Sequence, residues 1–182
     1  VNSAFKNAPV FVKQNNGVLN ITHSYSTAIS NGFVGTNSGE VYISDSYNTG
    51  VIRSGASMIG TNYKKAIIDN VYNSGSVQNG AGIISSNLGT AIISNSYNTG
   101  SISVKSYRET STGGLVGDSD GNTTIINCFN TASISGYDNI GGLVGSHWDD
   151  TLTIINSYNT GLVNDTSSKQ NYGIVGVTGS RS

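Results

Sequence analysis

Acidic side chains follow a recurring glycine-bracketed string late in the chain, and their spacing is the feature that most suggests catalysis. Asp118 comes directly after a Gly-Leu-Val-Gly string, and Asp149 and Asp150 come shortly after its next copy. If the copies stack, these carboxylates lie near one another. Polysaccharide hydrolysis needs two carboxylates converging on one face, or a carboxylate beside Arg or Lys. Acidic residues in solvated turns give the same pattern, and the sequence favours that interpretation.

Two further patterns bear on metal binding. The run Asp118-Ser-Asp120-Gly-Asn122 resembles the start of an oxygen-ligand calcium loop but lacks the downstream bidentate Glu, so a plain turn is favoured and a weak Ca²⁺ site is the alternative. Zinc hydrolysis needs a His-Glu-x-x-His helix or an equivalent cluster, and neither His23 nor His147 belongs to one. Cys128 is the only cysteine, which excludes an intrachain disulfide. We expect no metal, no cofactor and no catalytic residue.

Aromatic residues outside the repeated motifs are the candidates for ligand binding. Trp148 is expected in a loop corner beside His147, where a role in local packing is favoured over ligand stacking. Tyr107 and Tyr137 are also aromatic residues outside the repeated motifs. They fall in polar insertions and are further candidates for ligand binding.

The composition excludes several classes of protein. Only 10% of the residues are charged, against about 25% in ordinary soluble domains, and the net charge is −1. Such a chain offers no electrostatic footprint for nucleic acid or an anionic membrane. No apolar run reaches the roughly 18 residues that a membrane span requires, so we expect no membrane insertion. The absence of an initiator Met before Val1 predicts a mature product or a fragment of a longer protein. Richness in Ser, Thr, Asn and Gly is typical of secreted surface proteins, which predicts an extracellular location.

The elements that would position these residues are set by a sixfold repeat. An aromatic residue followed by Asn-Thr-Gly or a close variant recurs down the chain, which indicates one supersecondary unit stacked on its copies. The aromatic residues of the six units are Tyr25, Tyr47, Tyr72, Tyr97, Phe129 and Tyr158. Four residues before each aromatic stands an isoleucine: Ile21, Ile43, Ile68, Ile93, Ile125 and Ile154. Because strand side chains alternate with period two, we expect isoleucine and aromatic to point to the same face, with a small polar residue between them.

Asparagine follows the aromatic in five of the units. These residues are Asn48, Asn73, Asn98, Asn130 and Asn159. Stacked side-chain amides can bond one another and the turn backbone, so the column predicts an amide ladder. His23 takes the place of the small polar residue in the first unit, and we interpret that position as an interior column.

Segment lengths point to the fold. From the end of the Gly-Leu-Val-Gly motif to the next repeat aromatic the distance is 12 residues in four intervals and 13 in the fifth. From each repeat aromatic forward to the end of the following Gly-Leu-Val-Gly motif, the distance varies from 10 to 20 residues. Paired strands must keep register, while an outward loop lengthens at little cost. Helical repeats are excluded by Asn-Thr-Gly or a close variant in every unit, and propeller blades need about 40 residues. We therefore predict an all-β, right-handed parallel β-solenoid (β-helix) of about six coils of 22–32 residues, covering 18–182, with 1–17 as an N-terminal cap or lead-in segment.

The motifs also resemble a known repeat. Gly-Gly-Leu-Val-Gly at 113–117 and 141–145, alternating with Asn-Ser-Tyr-Asn-Thr-Gly, is similar to the GLUG repeat over most of 18–178. The resemblance is strong in the last three units and weaker at 32–35 and 57–60. GLUG repeats occur in large bacterial surface proteins, including adhesin-like proteins and non-catalytic regions of IgA-cleaving metallopeptidases. The resemblance implies a secreted or wall-attached β-solenoid and carries over no catalytic residue.

Three hypotheses for function follow. The first is a non-enzymatic structural or adhesive module of an extracellular surface protein, a stiff stalk whose elongated loops bind a host or cell-surface protein or glycan. The second is a subunit that associates end to end into a filament or sheath. The third is a carbohydrate-active β-helix enzyme, which the scattered acidic residues disfavour.

Overall fold

The computed structural model describes residues 4–5, 10–104, 111–166 and 172–179, and within these residues it is all-β. Every strand pairing is parallel, and each strand pairs with its counterpart from the neighbouring repeat. The chain is therefore a parallel β-solenoid of about six turns, as the repeat predicts. The segments that connect these strands in the described residues include no helix that is long and apolar enough to cross a membrane.

The first sheet carries the aromatic column. Its eleven strands in the described residues are Ala4–Phe5, Val18–Thr22, Tyr25–Ser26, Glu40–Asn48, Lys65–Asn73, Thr90–Ser94, Tyr97–Asn98, Thr123–Ile126, Phe129–Asn130, Leu152–Ile155 and Tyr158–Asn159.

The second sheet is formed by the glycine-bracketed motif and the residues after it. Its seven strands are Val12–Asn15, Val34–Asn37, Ile59–Asn62, Ile84–Asn87, Val116–Ser119, Val144–Trp148 and Val175–Gly179. A third, smaller sheet contains Val77–Gln78, Ile102–Ser103, Ile134–Gly136 and Val163–Asp165. Two short pairs complete the described strands: Gly55–Ala56 with Gly80–Ala81, and Thr112–Gly113 with Ile140–Gly141.

The strand register agrees with the alignment of the six units. Tyr47 lies opposite Tyr25 and Tyr72, and Ile68 lies opposite Ile43 and Ile93. The same registration continues through Phe129 to Tyr158. Successive coils are 22, 25, 25, 32 and 29 residues apart in sequence. The longest coils gain most of their extra residues between the third and second sheets, so these insertions leave the stacked columns undisturbed.

Two columns of branched apolar residues fill the interior. The larger core lies between the first and second sheets, where Ile43, Ile68 and Ile93 meet Ile83 and Leu115 at 0–1% exposure. A smaller core under the third sheet contains Ile52, Val77, Ile102, Ile134, Ile140 and Val163. Burial of such side chains provides the main drive for folding, at about 1.5–3 kcal/mol for each.

The expectation that isoleucine and aromatic share a face is wrong. In every unit the small polar residue between them has a left-handed backbone: His23, Asp45, Asn70, Asn95, Asn127 and Asn156 have φ of 48–53°. One left-handed residue shifts the alternation by one position. The isoleucine therefore points inward, while the aromatic points outward and is only partly covered.

The left-handed column is exposed in all six units, so the interpretation of the His23 position as interior is also wrong. Asn and Asp tolerate this conformation better than other residues with a side chain, because their short polar groups bond locally. This preference explains why five of the six positions hold Asn or Asp.

A serine column restores the hydrogen bonding that the left-handed residue interrupts. Ser46 and Ser96, each directly after that residue, donate from Oγ to the carbonyl two residues earlier at 2.6 Å. The same oxygen accepts an N–H from the preceding coil, as in Val71 N to Ser96 Oγ at 3.1 Å. Cys128 occupies this column and donates from Sγ to the Ile126 carbonyl at 3.1 Å. A hydroxyl or thiol thus substitutes for the strand bond that the kink removes.

The N-terminal segment joins the sheets. Val12–Asn15 pairs with Val34–Asn37, and Ala4–Phe5 pairs with Tyr25–Ser26. Residues 4–5 and 12–15 therefore occupy strand positions of a coil that precedes the first repeat. Phe11 stacks on Phe33 with ring centroids 4.4 Å apart, which covers the core at this end.

We predict that the stability of variants in the left-handed column depends only on how readily the new residue adopts a left-handed backbone. Asn156 is exposed with φ 48°, so Asn156→Val will lower the free energy of unfolding by about 1–2 kcal/mol. Asn156→Gly will change the free energy of unfolding by less than about 0.5 kcal/mol, because glycine adopts this conformation without a steric penalty. Urea unfolding monitored by circular dichroism gives both values. Equal loss in the two variants would contradict a backbone origin.

Candidate functional site

The aromatic column forms one continuous stack on the outer surface. Ring centroids of successive residues are 5.3, 4.9, 5.1, 4.8 and 5.4 Å apart from Tyr25 to Tyr158, and the interplanar angles are 2–9°. Each ring face lies against its neighbours, so the ring edges and the phenol groups point outward. The phenols of Tyr47, Tyr72 and Tyr97 have no hydrogen-bond partner within the described residues. Burial raises the pKa of the Tyr72 phenol above its usual value.

Behind the aromatic stack lies a ladder of buried amides. Asn48 Nδ2 donates to Asn73 Oδ1 at 2.8 Å, and Asn73 donates to Asn98 at 2.7 Å. Asn98 to Asn130 and Asn130 to Asn159 continue the ladder at 2.8 Å each. Each amide also donates to the carbonyl two residues further on, as in Asn73 Nδ2 to Gly75 O at 2.8 Å.

The first position of this ladder is incomplete. Ser26 stands opposite Asn48, and both Ser26 Oγ and Asn48 Oδ1 are buried without a protein partner. The serine side chain is too short to take the place of an amide, so the ladder begins at Asn48.

A second amide ladder, which the sequence reasoning missed, crosses the other side of the core. Asn15, Asn37, Asn62 and Asn87 end successive strands of the second sheet, and each Nδ2 donates to the next Oδ1 at 2.7 Å. Gly-Thr-Asn at 35–37 and again at 60–62 was the available signal.

The second ladder changes chemistry after Asn87. The residues in register there are Ser119 and His147, and Asn87 donates instead to Thr123 Oγ1 at 2.9 Å. His147 is 8% exposed, with Nδ1 2.8 Å from the Ser119 carbonyl and Nε2 2.8 Å from the Asp150 carbonyl. His147 therefore closes the polar column and belongs to the scaffold.

Glycine makes the close approach between the two repeated motifs possible. A Cβ on Gly114 would lie 2.5 Å from Cγ of Asn130, and one on Gly142 would lie 2.5 Å from Cγ of Asn159. The first glycine of Gly-Leu-Val-Gly thus leaves room for the amide ladder, which explains why the two motifs alternate along the chain.

The acidic residues behind the catalytic and calcium hypotheses occupy different positions along neighbouring strands and turns. Asp118 lies opposite Ser146, whose Oγ donates to Asp118 Oδ1 at 2.5 Å, whereas Asp149 and Asp150 follow the end of that strand. Asn122 Oδ1 accepts from the Thr151 N–H at 3.3 Å. The side chains of Asp118 and Asn122 therefore have protein partners, and Asp120 also has an interaction partner. Among the described residues, no three His, Cys, Asp or Glu side chains are grouped to hold a metal ion.

Of the candidate ligand-binding aromatics, Trp148 differs from the expected placement in a loop corner. Trp148 is the last residue of the strand Val144–Trp148 rather than part of a loop. Its ring lies over Gly179, where a Cβ would be 2.5 Å from Cζ3. Tyr137 lies in the turn between Ile134–Gly136 and Ile140–Gly141 and is half-buried. Tyr107 lies outside the described residues, as do parts of the insertions at 105–110 and 167–171.

Charged side chains on the outer face satisfy one another. Tyr42 donates to Glu40 Oε2 at 2.7 Å, and Lys65 Nζ donates to the Tyr42 phenol at 2.9 Å and to Glu40 at 3.3 Å. These hydrogen bonds, that of Tyr42 first, hold the pKa of Glu40 below its usual range. The hydrogen bond from Asn70 likewise lowers the pKa of Asp45.

A neutral strip of hydroxyl groups runs beside these charges. It consists of the aromatic column and the exposed column two residues later: Tyr25, Tyr47, Tyr72, Tyr97, Phe129 and Tyr158, with Thr27, Thr49, Ser74, Thr99, Thr131 and Thr160. We call these twelve residues the hydroxyl strip. Its backbone is fixed by bonds between coils, such as Thr99 N to Asn73 O at 2.8 Å. All twelve positions are uncharged.

Comparisons with known proteins gave no match to a protein-family model, a curated protein or a solved structure.

We predict that the interior of the amide ladder cannot accept a carboxyl group. Asn73→Asp keeps the shape but removes the donor to Asn98 Oδ1 and to Gly75 O, so it will lower the free energy of unfolding by about 2–4 kcal/mol at pH 7. The matched control is Asn159→Asp, because Asn159 is the half-buried last residue of the ladder. Its free energy of unfolding will fall by less than half as much. Urea titrations of the two variants test this, and equal losses would contradict a buried ladder.

We also predict that Cys128 is unreactive in the folded protein. Burial raises the pKa of its thiol, and the thiolate is the reactive form. Iodoacetamide at pH 7.5 will modify the native protein at least about tenfold more slowly than the urea-unfolded protein. The free energy of unfolding of Cys128→Ser will lie within about 1 kcal/mol of that of the native chain, because serine occupies the same column in four other units. Fast labelling of native protein would contradict the buried placement.

Proposed function

We propose that the chain is a non-enzymatic, rigid structural and adhesive module of an extracellular surface protein. The observation that carries the proposal is the continuity of the ordered columns. The aromatic stack spans all six repeats and the first amide ladder spans five, both running parallel to the solenoid axis. In a repeat array each unit is stabilised by its neighbours, so a continuous ladder stiffens the body as a unit.

Three further features support this proposal. Three of the polar residues considered for catalysis or metal binding, Asp118, His147 and Asn122, form hydrogen bonds with neighbouring coils. The low charge content fits a surface that meets neutral partners. The GLUG-like motifs favour a cell-surface setting, and their glycines have a structural role beside Asn130 and Asn159.

Cell attachment tests the proposal. The chain is fused to a membrane anchor and displayed on a non-adherent cell, and attached cells on a host-cell monolayer are counted under flow. Cells that display the native chain will attach in greater number than cells displaying a flexible Gly-Ser chain of equal length. Asn73→Asp with Asn98→Asp, displayed at equal density, will reduce attachment because the scaffold is weakened. Equal attachment by the Gly-Ser control, or depolymerisation of added polysaccharide by the purified chain, would contradict the proposal.

End-to-end assembly is the second candidate, favoured by the open edge of the first sheet. Leu152–Ile155 pairs with Thr123–Ile126 on one side, and no described strand covers its other side. An open parallel edge can accept a further strand. Sedimentation velocity over a hundredfold range of protein concentration distinguishes the candidates: a growing series of species indicates assembly, and a single monomeric species indicates a module.

A further inference from the structure

We propose that the hydroxyl strip is a binding site for an extended, uncharged polysaccharide of β-linked pyranose rings, lying along the solenoid axis with one ring per coil. The inference rests on the proposed adhesive function and names the chemistry of its ligand. Its basis is the placement, spacing and charge of the strip.

The first observation is a row of hydrogen-bonding groups without protein partners. The phenols of Tyr47, Tyr72 and Tyr97 are held in place by ring stacking, yet within the described residues no protein group bonds to them. A phenol both donates and accepts, which suits a sugar hydroxyl. Because stacking already fixes the rings, little side-chain entropy is lost when a ligand binds.

The second observation is the absence of charge. Neither column of the strip has a charged residue in any of its six coils. Beside the strip, Glu40 pairs with Lys65, and the carboxylates of Asp45 and Asp69 accept hydrogen bonds from Asn70 and Asn95. A charged polymer would find no counter-charge within the strip itself, and an anionic one would also meet these two carboxylates beside it. A neutral ligand rich in hydroxyl groups therefore fits the strip, and a charged one does not.

The third observation is the spacing. Successive rings of the stack are 4.8–5.4 Å apart. An extended chain of β-linked pyranose rings advances by nearly the same distance for each sugar. Such a chain can therefore meet an equivalent phenol at five of the six coils, Phe129 being the exception, and an equivalent Thr or Ser at every coil. Contacts that are individually weak then add along the strip.

The rings do not offer their faces to the ligand within the stack. Each interior ring is covered on both sides, so recognition depends on phenol and threonine oxygens and on ring edges. This arrangement favours a chain lying across the ring edges over a single sugar stacked on an aromatic face. Affinity will therefore depend on ligand length.

Binding of purified native chain to soluble oligosaccharides tests the inference. The probes are neutral β-linked oligosaccharides of glucose, xylose, mannose and N-acetylglucosamine, two to six rings long, measured by isothermal titration calorimetry. We expect at least one series to bind, with affinity rising at each added ring. Hydroxyethyl cellulose and carboxymethyl cellulose provide a neutral and an anionic polymer with the same backbone, and we expect the neutral polymer to bind more tightly. Failure of every neutral series, or tighter binding of the anionic polymer, would overturn the inference.

A triple variant isolates the phenols. Tyr47→Phe with Tyr72→Phe and Tyr97→Phe removes three hydroxyl groups and keeps the stack, since Phe129 already occupies this column. Affinity for the best oligosaccharide will fall about 10- to 100-fold. Tyr63→Phe, which removes a phenol outside the strip from a residue that is 58% exposed, is the matched control and will bind as the native chain does. Unchanged affinity in the triple variant would overturn the assignment of the site.

The attachment assay separates this inference from the proposed function. If native cells attach and the triple variant attaches equally, the module is adhesive through another surface and the hydroxyl strip is not its binding site. If native cells do not attach while the purified chain binds the oligosaccharide, the strip is correctly assigned and the adhesive function is wrong.

Discussion

Parallel stacking in register is the constraint on which the rest of this molecule depends. A buried side-chain amide can bond an identical amide in the next coil only if the two coils are stacked in register. Asn37, Asn62 and Asn87 meet this condition at 2.7 Å in one ladder, and Asn73 and Asn98 meet it in the other. A slip of one residue would turn these amides outward and bring exposed polar residues into the core. The amides therefore specify the register, while the isoleucine columns supply most of the stabilisation.

The same constraint explains where the chain tolerates change. The second sheet and the aromatic column are separated by a nearly constant length, whereas residues are added between the third and second sheets, where no ladder crosses. The one extra residue in the last interval is absorbed at the turn after Trp148, where Asp149 has φ 70°. A left-handed residue there resets the strand direction so that Leu152 regains its register with Thr123. The scaffold is preserved by confining each irregularity to a turn.

Much of the fold could be predicted from the sequence, because each column repeats its residue type. The spacing of Tyr47, Tyr72 and Tyr97 gives the register directly, and the isoleucine column gives the core. The direction of the aromatic side chains could not be derived in this way. Period-two alternation assumes a continuous strand, and a left-handed Asn or Asp breaks it without changing the spacing.

The second ladder escaped prediction for a different reason. It is regular from Asn15 to Asn87, but Ser119 and His147 then replace the amides. Its signal is therefore confined to the first half of the chain, where the glycine motif is most degraded.

The candidate sites named from sequence had a related weakness. Asp118, Asn122 and Trp148 have residue types found in binding sites, yet their neighbours in space come from the next coil and were not visible from local spacing.

A solenoid built this way imposes its period on its surface as well as on its core. An outward side chain is repeated at about the coil spacing, so a partner that contacts one coil can contact the next with the same geometry. Such a surface is poorly suited to concentrating several different groups around one reacting atom, because neighbouring coils present like residues. It is well suited to a partner that is itself periodic, since a weak contact repeated over several coils gives a large total affinity. The neutrality of the hydroxyl strip then selects among periodic partners by excluding charged ones, while the rigid backbone beneath it keeps the spacing constant from Tyr25 to Tyr158.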